Sequence, residues 1–401
     1  MAVLQSDPWD GFSLDDAGLS ADFDGATAQL VEQCPVAYSE KYRYWMISRY
    51  ADVKDSARDW GLFSSAQGVQ PVASSAGGTL IPIELDPPVH TRWRQALQPF
   101  FSSRVVGRYA EGITAVAHEL IDRFVDRGHC DLAAEFCGPL PGIVLFQEVL
   151  GTPVADTPYL IGLIHQANVG YADERAAAWA AVGDYVEGQL RERQSRPRRD
   201  DLLQRILELD LEDAPCSWAE KKSVVSLLIS GGLDTTAHVL GGACRHLATH
   251  PDARRDLRAD PERLLPAVEE YLRYWASAFA IGRTTTRETE IAGRSIPAGA
   301  RVMMGYGAAC RDPAVFERPA ECDLNRSPNR HLAFGFGPHA CIGAHLARLE
   351  LRLALRVLLD RLDDLALDSA GEVRFRTGMM RIAEQLPVTF TAATRPVERS
   401  A

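Results

Sequence analysis

Between Arg104 and Arg127 apolar side chains recur at steps of three and four residues, which lines them along one face of a helix, and Gly128 supplies a stop. The same period predicts helices over about 138–151, 155–170, 173–192, 200–210, 263–276 and 343–363. The longest is expected from about Ser217 to His250, where Ser217 is a candidate N-cap and Glu220, three residues on, completes a capping-box pattern. Elsewhere β-branched residues are broken by Gly and Pro, as in Tyr44–Ser48 and Glu290–Met304, which reads as strand and hairpin material. Residues 373–390 alternate like short strands. The expectation is a mainly α protein, with one large helical domain and a minor β-rich part drawn from both ends of the chain.

The pattern fails in the middle of the longest helix, at Gly231-Gly232-Leu233-Asp234-Thr235-Thr236. Two glycines and two β-branched threonines are poor helix formers, and such local conflict is expected where function constrains sequence. A threonine hydroxyl can bond the carbonyl one turn back and bend the helix. Glycines opposite it would let the helix approach a flat ligand closely.

Composition narrows the class. In 401 residues there is no internal repeat, low-complexity tract or Gly/Ser linker, so one domain over 1–401 is expected. The charged stretch Arg191–Asp200 reads as a solvated loop, and a net charge of −11 argues against nucleic acid or anionic membrane as partners. The eight cysteines are scattered without a Cys-x-x-Cys pair, which weakens zinc and iron–sulfur readings. The opening Met1–Asp10 has neither a basic n-region nor an apolar h-region. No run reaches the roughly 18–20 apolar residues of a membrane span, so a cytoplasmic protein with reduced thiols is expected.

One cysteine stands apart. Phe334-Gly-Phe-Gly-Pro-His-Ala-Cys341-Ile-Gly343 places it in a glycine-rich loop at the mouth of an amphipathic helix. Free N–H groups at a helix start stabilise a thiolate, and the glycines let backbone approach a flat object. The segment resembles the haem-ligand loop of the cytochromes P450, with every defined position filled. That resemblance covers about Asp86 to Leu365, implies the family's fold of a large helical domain with small β-sheets, and marks 86–365 as the haem-binding core. With no membrane anchor it points to a bacterial type.

The resemblance assigns roles. It makes Cys341 the axial ligand of the iron of haem b, and it matches Gly231–Thr236 to the family's oxygen-binding groove. Thr235 would hydrogen-bond dioxygen, and Asp234 would relay protons from bulk water. Glu270 and Arg273, at i and i+3 on one helix face, match the Glu-x-x-Arg pair that buttresses the ligand loop, a structural role. Two propionates need cations, which the resemblance supplies as His90, Arg94, Arg283 and His339. Arg92 falls on the far side of its helix and is assigned to solvent.

The function implied is a haem-thiolate monooxygenase, placing one atom of dioxygen in a small, largely apolar substrate by hydroxylation or epoxidation. Coupling, desaturation or nitration of a carboxylate- or amino-acid-derived molecule is the alternative, and a non-catalytic haem-thiolate sensor a more distant one. The substrate pocket is expected from Val225, Leu228, Gly231, Phe279, Ile281, Met379 and Met380, with Arg381, Gln67 or Gln70 as possible carboxylate anchors. The loop 64–83 and the helices near 155–190 should also line it. No nucleotide fingerprint or cysteine cluster is present, so electrons from NAD(P)H would arrive through a ferredoxin reductase and a ferredoxin. The ferredoxin would dock near Cys341, where Arg348 is a candidate contact.

Overall fold

The apolar stripes of the helices close on one another around a core that runs from Ile81 to Phe390. At its centre the helix Ala344–Arg361 packs on Ala110–Asp122, on Leu264–Tyr274 and on Asp234–Thr249. The computed structural model describes residues 12–71, 79–169, 172–199, 201–211 and 214–393. Of the segments named above, Met1–Asp10, residues 72–78 of the 64–83 loop, 170 and 171 near the helix pair, and Asp200 lie outside these.

Ser217 caps its helix as the pattern predicts: the Glu220 N–H donates to Ser217 Oγ at 3.2 Å and the Ser217 N–H to Glu220 Oε2 at 2.7 Å. The expected single helix over 217–250 is in fact two, Trp218–Gly232 and Asp234–Thr249, joined at the buried Leu233 with φ −86° and ψ −75°. Among the described residues this tract, Trp218–Thr249, is the one long and apolar enough to cross a membrane, and 61% of its apolar window is buried inside the fold.

Other boundaries moved for local reasons. The 104–127 helix is a short turn, Ser103–Val106, a 3-10 turn, Gly107–Tyr109, and the helix Ala110–Asp122. Gly128 then adopts φ +72°, the left-handed stop expected of it. The 138–151 segment begins as Pro139–Val144, widens into a π-turn over Leu145–Leu150 and ends at Gly151, φ +64°. Helices Phe23–Glu32, Tyr50–Arg58 and Pro251–Ala259 were not anticipated. The last buries only Leu257, so it has no apolar stripe to read.

The main sheet has five strands in the order Val36–Ser39, Tyr44–Ile47, Arg301–Met304, Ile281–Thr285 and Phe63–Ser64. Met303 pairs with Met46 in parallel and with Gly282 antiparallel. All four residues of Arg301–Met304 are buried, as befits a central strand covered on both faces. The sheet therefore contains the expected strand at Tyr44–Ser48 and part of the expected hairpin material at Glu290–Met304, but not the C-terminal 373–390 strands. The C-terminal strands form separate sheets, Leu362–Leu367 with Pro387–Ala392 and His129–Asp131, and the hairpin of Arg374–Thr377 with Arg381–Gln385.

His238 ties the second half of the broken helix to this hairpin. Its ring lies edge-on to Trp275 at 6.1 Å and to Phe375 at 5.7 Å, and neither ring nitrogen has a partner. Burial, and then the charge of Arg381, hold its pKa well below the ordinary 6.5. His246 is pushed down to about 4 by burial and by His250. The unfolded chain protonates such a residue at its ordinary pKa while the folded chain does not. Stability is thus full above that pKa and is lost as pH falls below it, by up to ~1.4 kcal/mol per pH unit per histidine. Replacing His238→Phe should flatten the acid limb of a Tm-against-pH curve below pH ~6.5. An unchanged limb would mean that the ring is not held neutral.

Candidate active site

A cavity of about 330 Å³ lies between the broken helix on one side and the Cys341 loop with its following helix on the other. Gly231 and Thr235 reach it from the break, and Thr235 Oγ1 donates to the Gly231 carbonyl at 2.8 Å. Residues i and i+4 share a face, so Gly231 lies beside Thr235 and not opposite it as expected. A Cβ on Gly231 would meet nothing within 4 Å, whereas one on Gly232 would come within 3.2 Å of Leu145 Cδ2. The first glycine opens the cavity and the second lets the helix close on its neighbour. Asp234 is half-buried beside Thr235.

Across the cavity the Cys341 N–H donates to the Phe334 carbonyl at 2.7 Å, and the Ala340 N–H to that of Gly337 at 3.1 Å. Gly335 and Gly337 stand at φ +70° and +71°. At Gly337 a Cβ would fall 2.5 Å from the Ala57 carbonyl oxygen, so the loop can press on helix Tyr50–Arg58 only through a glycine. Cys341 itself is open to the cavity. Burial by the surrounding protein pushes its thiol pKa up, against the Gly343 N–H and the charges of Arg94 and Arg348, which pull it down. The helix-start effect expected from sequence is present but is outweighed by desolvation. A coordinating cation would remove that proton outright.

Beside this loop four donors converge with too few acceptors. The rings of His90 and His339 lie 4.1 Å apart, and Nδ1 of each is buried without a partner. His339 Nε2 meets Ser65 Oγ at 3.2 Å. Arg283 is buried and donates to the carbonyl of its own neighbour Gly282 at 2.7 Å. Among the described residues neither Arg283 nor Arg94 has a carboxylate within ion-pair distance. Burial and the neighbouring arginines drive His90 down to about 4 and His339 to about 2. Such a set of orphaned donors fits a ligand carrying two carboxylates, which is what the haem propionates are. Arg92 is exposed, as assigned.

The loop is held from behind. Arg273 and Glu270 are fully buried and form a bidentate pair at 2.8 and 2.7 Å. Arg273 also donates to the carbonyls of Cys310, Pro319 and Glu321, while Glu270 accepts from the Asp323 N–H, Arg326 and Asn329. Sequence reasoning missed Glu269, whose signal was the acidic doublet. Glu269 binds Arg348 at 2.6 and 2.9 Å, and that guanidinium lies 4.6 Å over the Phe334 ring. Arg348 therefore braces the ligand loop instead of standing free as a docking cation. Glu350 was also missed. It is a buried carboxyl on the cavity wall, and burial raises its pKa well above the usual range. Its signal was a charge in the apolar stripe between Leu346 and Ala354.

Of the expected pocket residues, Leu228, Gly231, Ile281, Met379 and Met380 line the cavity. Val225 and Phe279 do not. Val224, Leu228 and Gly231 form the wall stripe, and Val225 turns away from it into the core. Phe279 alternates with the wall residue Ala278 and packs edge-on to Phe23 at 5.6 Å. Arg381 is outside the cavity too, stacked 3.5 Å over the Phe23 ring. Gln67 is not among the residues lining the cavity, whereas Gln70 is, together with Val69 and Leu80–Ile83 of the same loop. Trp179, from helix Ala172–Ser195, faces it.

This architecture has known counterparts. The family model described as Cytochrome P450 matches residues 159–377. The putative cytochrome P450 YjiB of Bacillus subtilis (strain 168) is 33% identical over 339 residues, covering 82% of this chain and 84% of that one. The steroid C26-monooxygenase of Mycobacterium tuberculosis (strain CDC 1551 / Oshkosh) is 33% identical over 357 residues, 86% of this chain and 94% of its own. The solved structure of the Bacillus subtilis 168 bacillaene polyketide synthase cytochrome P450 PksS superposes with a TM-score of 0.86 at 29% identity, over 95% and 100% of the two chains. The chain belongs to the cytochrome P450 family of haem-thiolate monooxygenases and has that family's fold.

The two kinds of glycine separate experimentally. Gly337→Ala should cost about 1–3 kcal/mol from its positive φ alone, more with the Ala57 contact, and should lower Tm and the haem-to-protein ratio. Gly231→Ala should leave Tm unchanged or raise it, since it adds up to ~1 kcal/mol of helix propensity, while weakening ligand binding in the cavity. Equal losses of Tm would contradict the geometry given for both.

Proposed function

We propose that this chain is one cytochrome P450 domain that holds haem b by the Cys341 sulfur and oxidises a compact, largely apolar molecule. The observation that carries the reading is the single cavity faced by the Cys341 thiol on one wall and by Thr235, at the break of the opposite helix, on the other. His90, Arg94, Arg283 and His339 would hold the propionates. When bound, the haem supplies dioxygen activation, so that one oxygen atom enters the substrate and the other leaves as water.

The chain's own residues do the rest. The Glu270–Arg273 pair and Arg348 keep the ligand loop from moving when the sulfur is loaded. Thr235 holds a proton at Oγ1 within the cavity, at rest on the Gly231 carbonyl, and Asp234 beside it resupplies that proton from solvent. The ionisable groups on the cavity wall include His90, Arg94, Arg283 and His339 on the proposed propionate side, and Glu350 on the helix following Cys341; burial favours the neutral form of both histidines and of Glu350. The remaining wall is largely apolar, with Trp179, Leu227, Leu228, Ile83 and Met379 among it, and Gln70, Ser230, Thr236, Ser277 and Tyr306 add polar atoms. A wall of this kind favours an apolar substrate oriented by few hydrogen bonds. The steroid- and polyketide-related names of the relatives point the same way. The carboxylate- or amino-acid-derived alternative loses its best anchor, because Arg381 is stacked elsewhere.

Electrons would come from a separate acidic ferredoxin and its reductase. On the outer side of the ligand loop, Lys54 and Arg58 lie 5.1 and 5.3 Å over the Phe336 ring. These two take the docking role first considered for Arg348.

Two measurements test this reading. Thr235→Ala should retain haem and the ligand-induced spin shift but yield several-fold less product per reduced nicotinamide consumed, and an unchanged ratio would remove Thr235 from proton delivery. Titration with terpenoid or aromatic hydrocarbons should shift the resting haem to high spin more strongly than titration with their carboxylated analogues. Binding by the carboxylates alone would make the apolar substrate wrong.

A further inference from the structure

The segment 79–83 reaches the cavity as Leu80, Ile81, Pro82 and Ile83, and among the described residues one side chain of the broken helix, Ser223, bonds its backbone. Ser223 Oγ donates to the Thr79 carbonyl at 2.6 Å and accepts from the Ile81 N–H at 2.8 Å. Both capacities of one hydroxyl are thus spent on the backbone of one strip of chain, two residues apart. The turn that follows closes on itself: the Leu80 N–H donates to Glu84 Oε2 at 2.8 Å, and the Glu84 N–H to the Leu80 carbonyl at 2.9 Å.

The other wall piece of the same loop is held differently. The Val69 carbonyl accepts from the Gly282 N–H at 2.8 Å, and Arg301 donates to the Gln67 and Gly68 carbonyls at 2.7 and 2.8 Å. Those bonds belong to the five-stranded sheet and are fixed by it. The clasp at Ser223 is half-buried and reached by water, which replaces such bonds at low net cost. One end of the wall is anchored to a rigid sheet; the other is held by the buried Ile81 side chain and by a hydroxyl that solvent can displace.

We propose that Ser223 is a positioning residue that gates the cavity, its clasp opening to admit ligand between the 79–83 segment and helix Trp218–Gly232. The role as a substrate gate rests on the haem-enzyme reading above; the clasp itself does not. On this proposal the clasp closes equally over a filled and an empty cavity, so weakening it raises the open fraction equally in both. Ligand should then bind and leave faster by a similar factor, with little change in Kd.

Two readouts on Ser223→Ala and Ser223→Thr decide this. The first is amide hydrogen exchange of the purified chain, which needs no haem chemistry. In Ser223→Ala the Ile81 amide should exchange about tenfold faster, from loss of a bond worth roughly 1 kcal/mol or a little more, while the Gly282 amide stays protected. Ser223→Thr, which keeps the hydroxyl, should restore Ile81. The second is stopped-flow binding of 4-phenylimidazole to the holoprotein, followed in the haem spectrum. On- and off-rates should both rise several-fold in Ser223→Ala and return in Ser223→Thr. Unchanged Ile81 exchange overturns the clasp, and unchanged rates, or a change in Kd without a change in on-rate, overturn the gate. Absence of any haem band would defeat the proposed function while the exchange result still judged the clasp.

Discussion

The Cys341 thiol opens on the cavity, yet the protein around it desolvates it enough to resist ionisation, and much of the structure behind the loop holds it at a fixed point. Desolvation raises the Cys341 pKa, and the Gly343 N–H with Arg94 and Arg348 opposes it without prevailing. Holding the sulfur still therefore falls to the framework behind it. The Glu270–Arg273 pair is wholly buried, an arrangement that is weak evidence of stability in itself because desolvation cancels much of the attraction. Here both partners are saturated with further bonds to the 310–329 segment, so removing either would leave a buried charge alone. The pair is better understood as a device for fixing loop geometry than as a source of net stability.

The same logic runs through the other wall. A helix broken at Leu233 sacrifices regularity where Gly231 and Thr235 face the cavity, and regains it through the capping box at Ser217 and the packing of His238 among Trp275 and Phe375. The orphaned nitrogens of His90 and His339, with Arg94 and Arg283, make little sense as a folded core without an anionic ligand. On the proposed function, the two haem propionates would supply the missing partners. Stability of the chain alone and fitness for the ligand are thus in tension at one place, which is where local rules of folding are expected to be broken.

How much of this could be read from the sequence depended on the range of the cause. Motifs whose logic is local were legible: the Cys341 loop, the Gly231–Thr236 break, the His90/Arg94 face and the i, i+3 pair at Glu270 and Arg273. Single helices with an apolar stripe were legible too. What escaped depends on long-range contact. The strands at Tyr44–Ser48 and within Glu290–Met304 were legible, but their pairing with each other, and the separation of the C-terminal strands into other sheets, have no local signal. Val225 and Phe279 are apolar and near the site in sequence, but a half-turn or one residue of alternation decides which way each points. Arg381 looked like an anchor because charge is visible in a sequence and stacking on Phe23 is not. Arg348 looked free because its partner, Glu269, is 79 residues away.

The central claim is that the Cys341 sulfur is the axial ligand of the haem, and the spectrum of the reduced, carbon-monoxide-bound protein tests it most directly. The account predicts the strongly red-shifted Soret band of thiolate ligation from which the family takes its name, and its replacement by the band of histidine-ligated haem in Cys341→His. A histidine-type band in the unaltered protein, or a thiolate-type band that survives loss of Cys341, would contradict it.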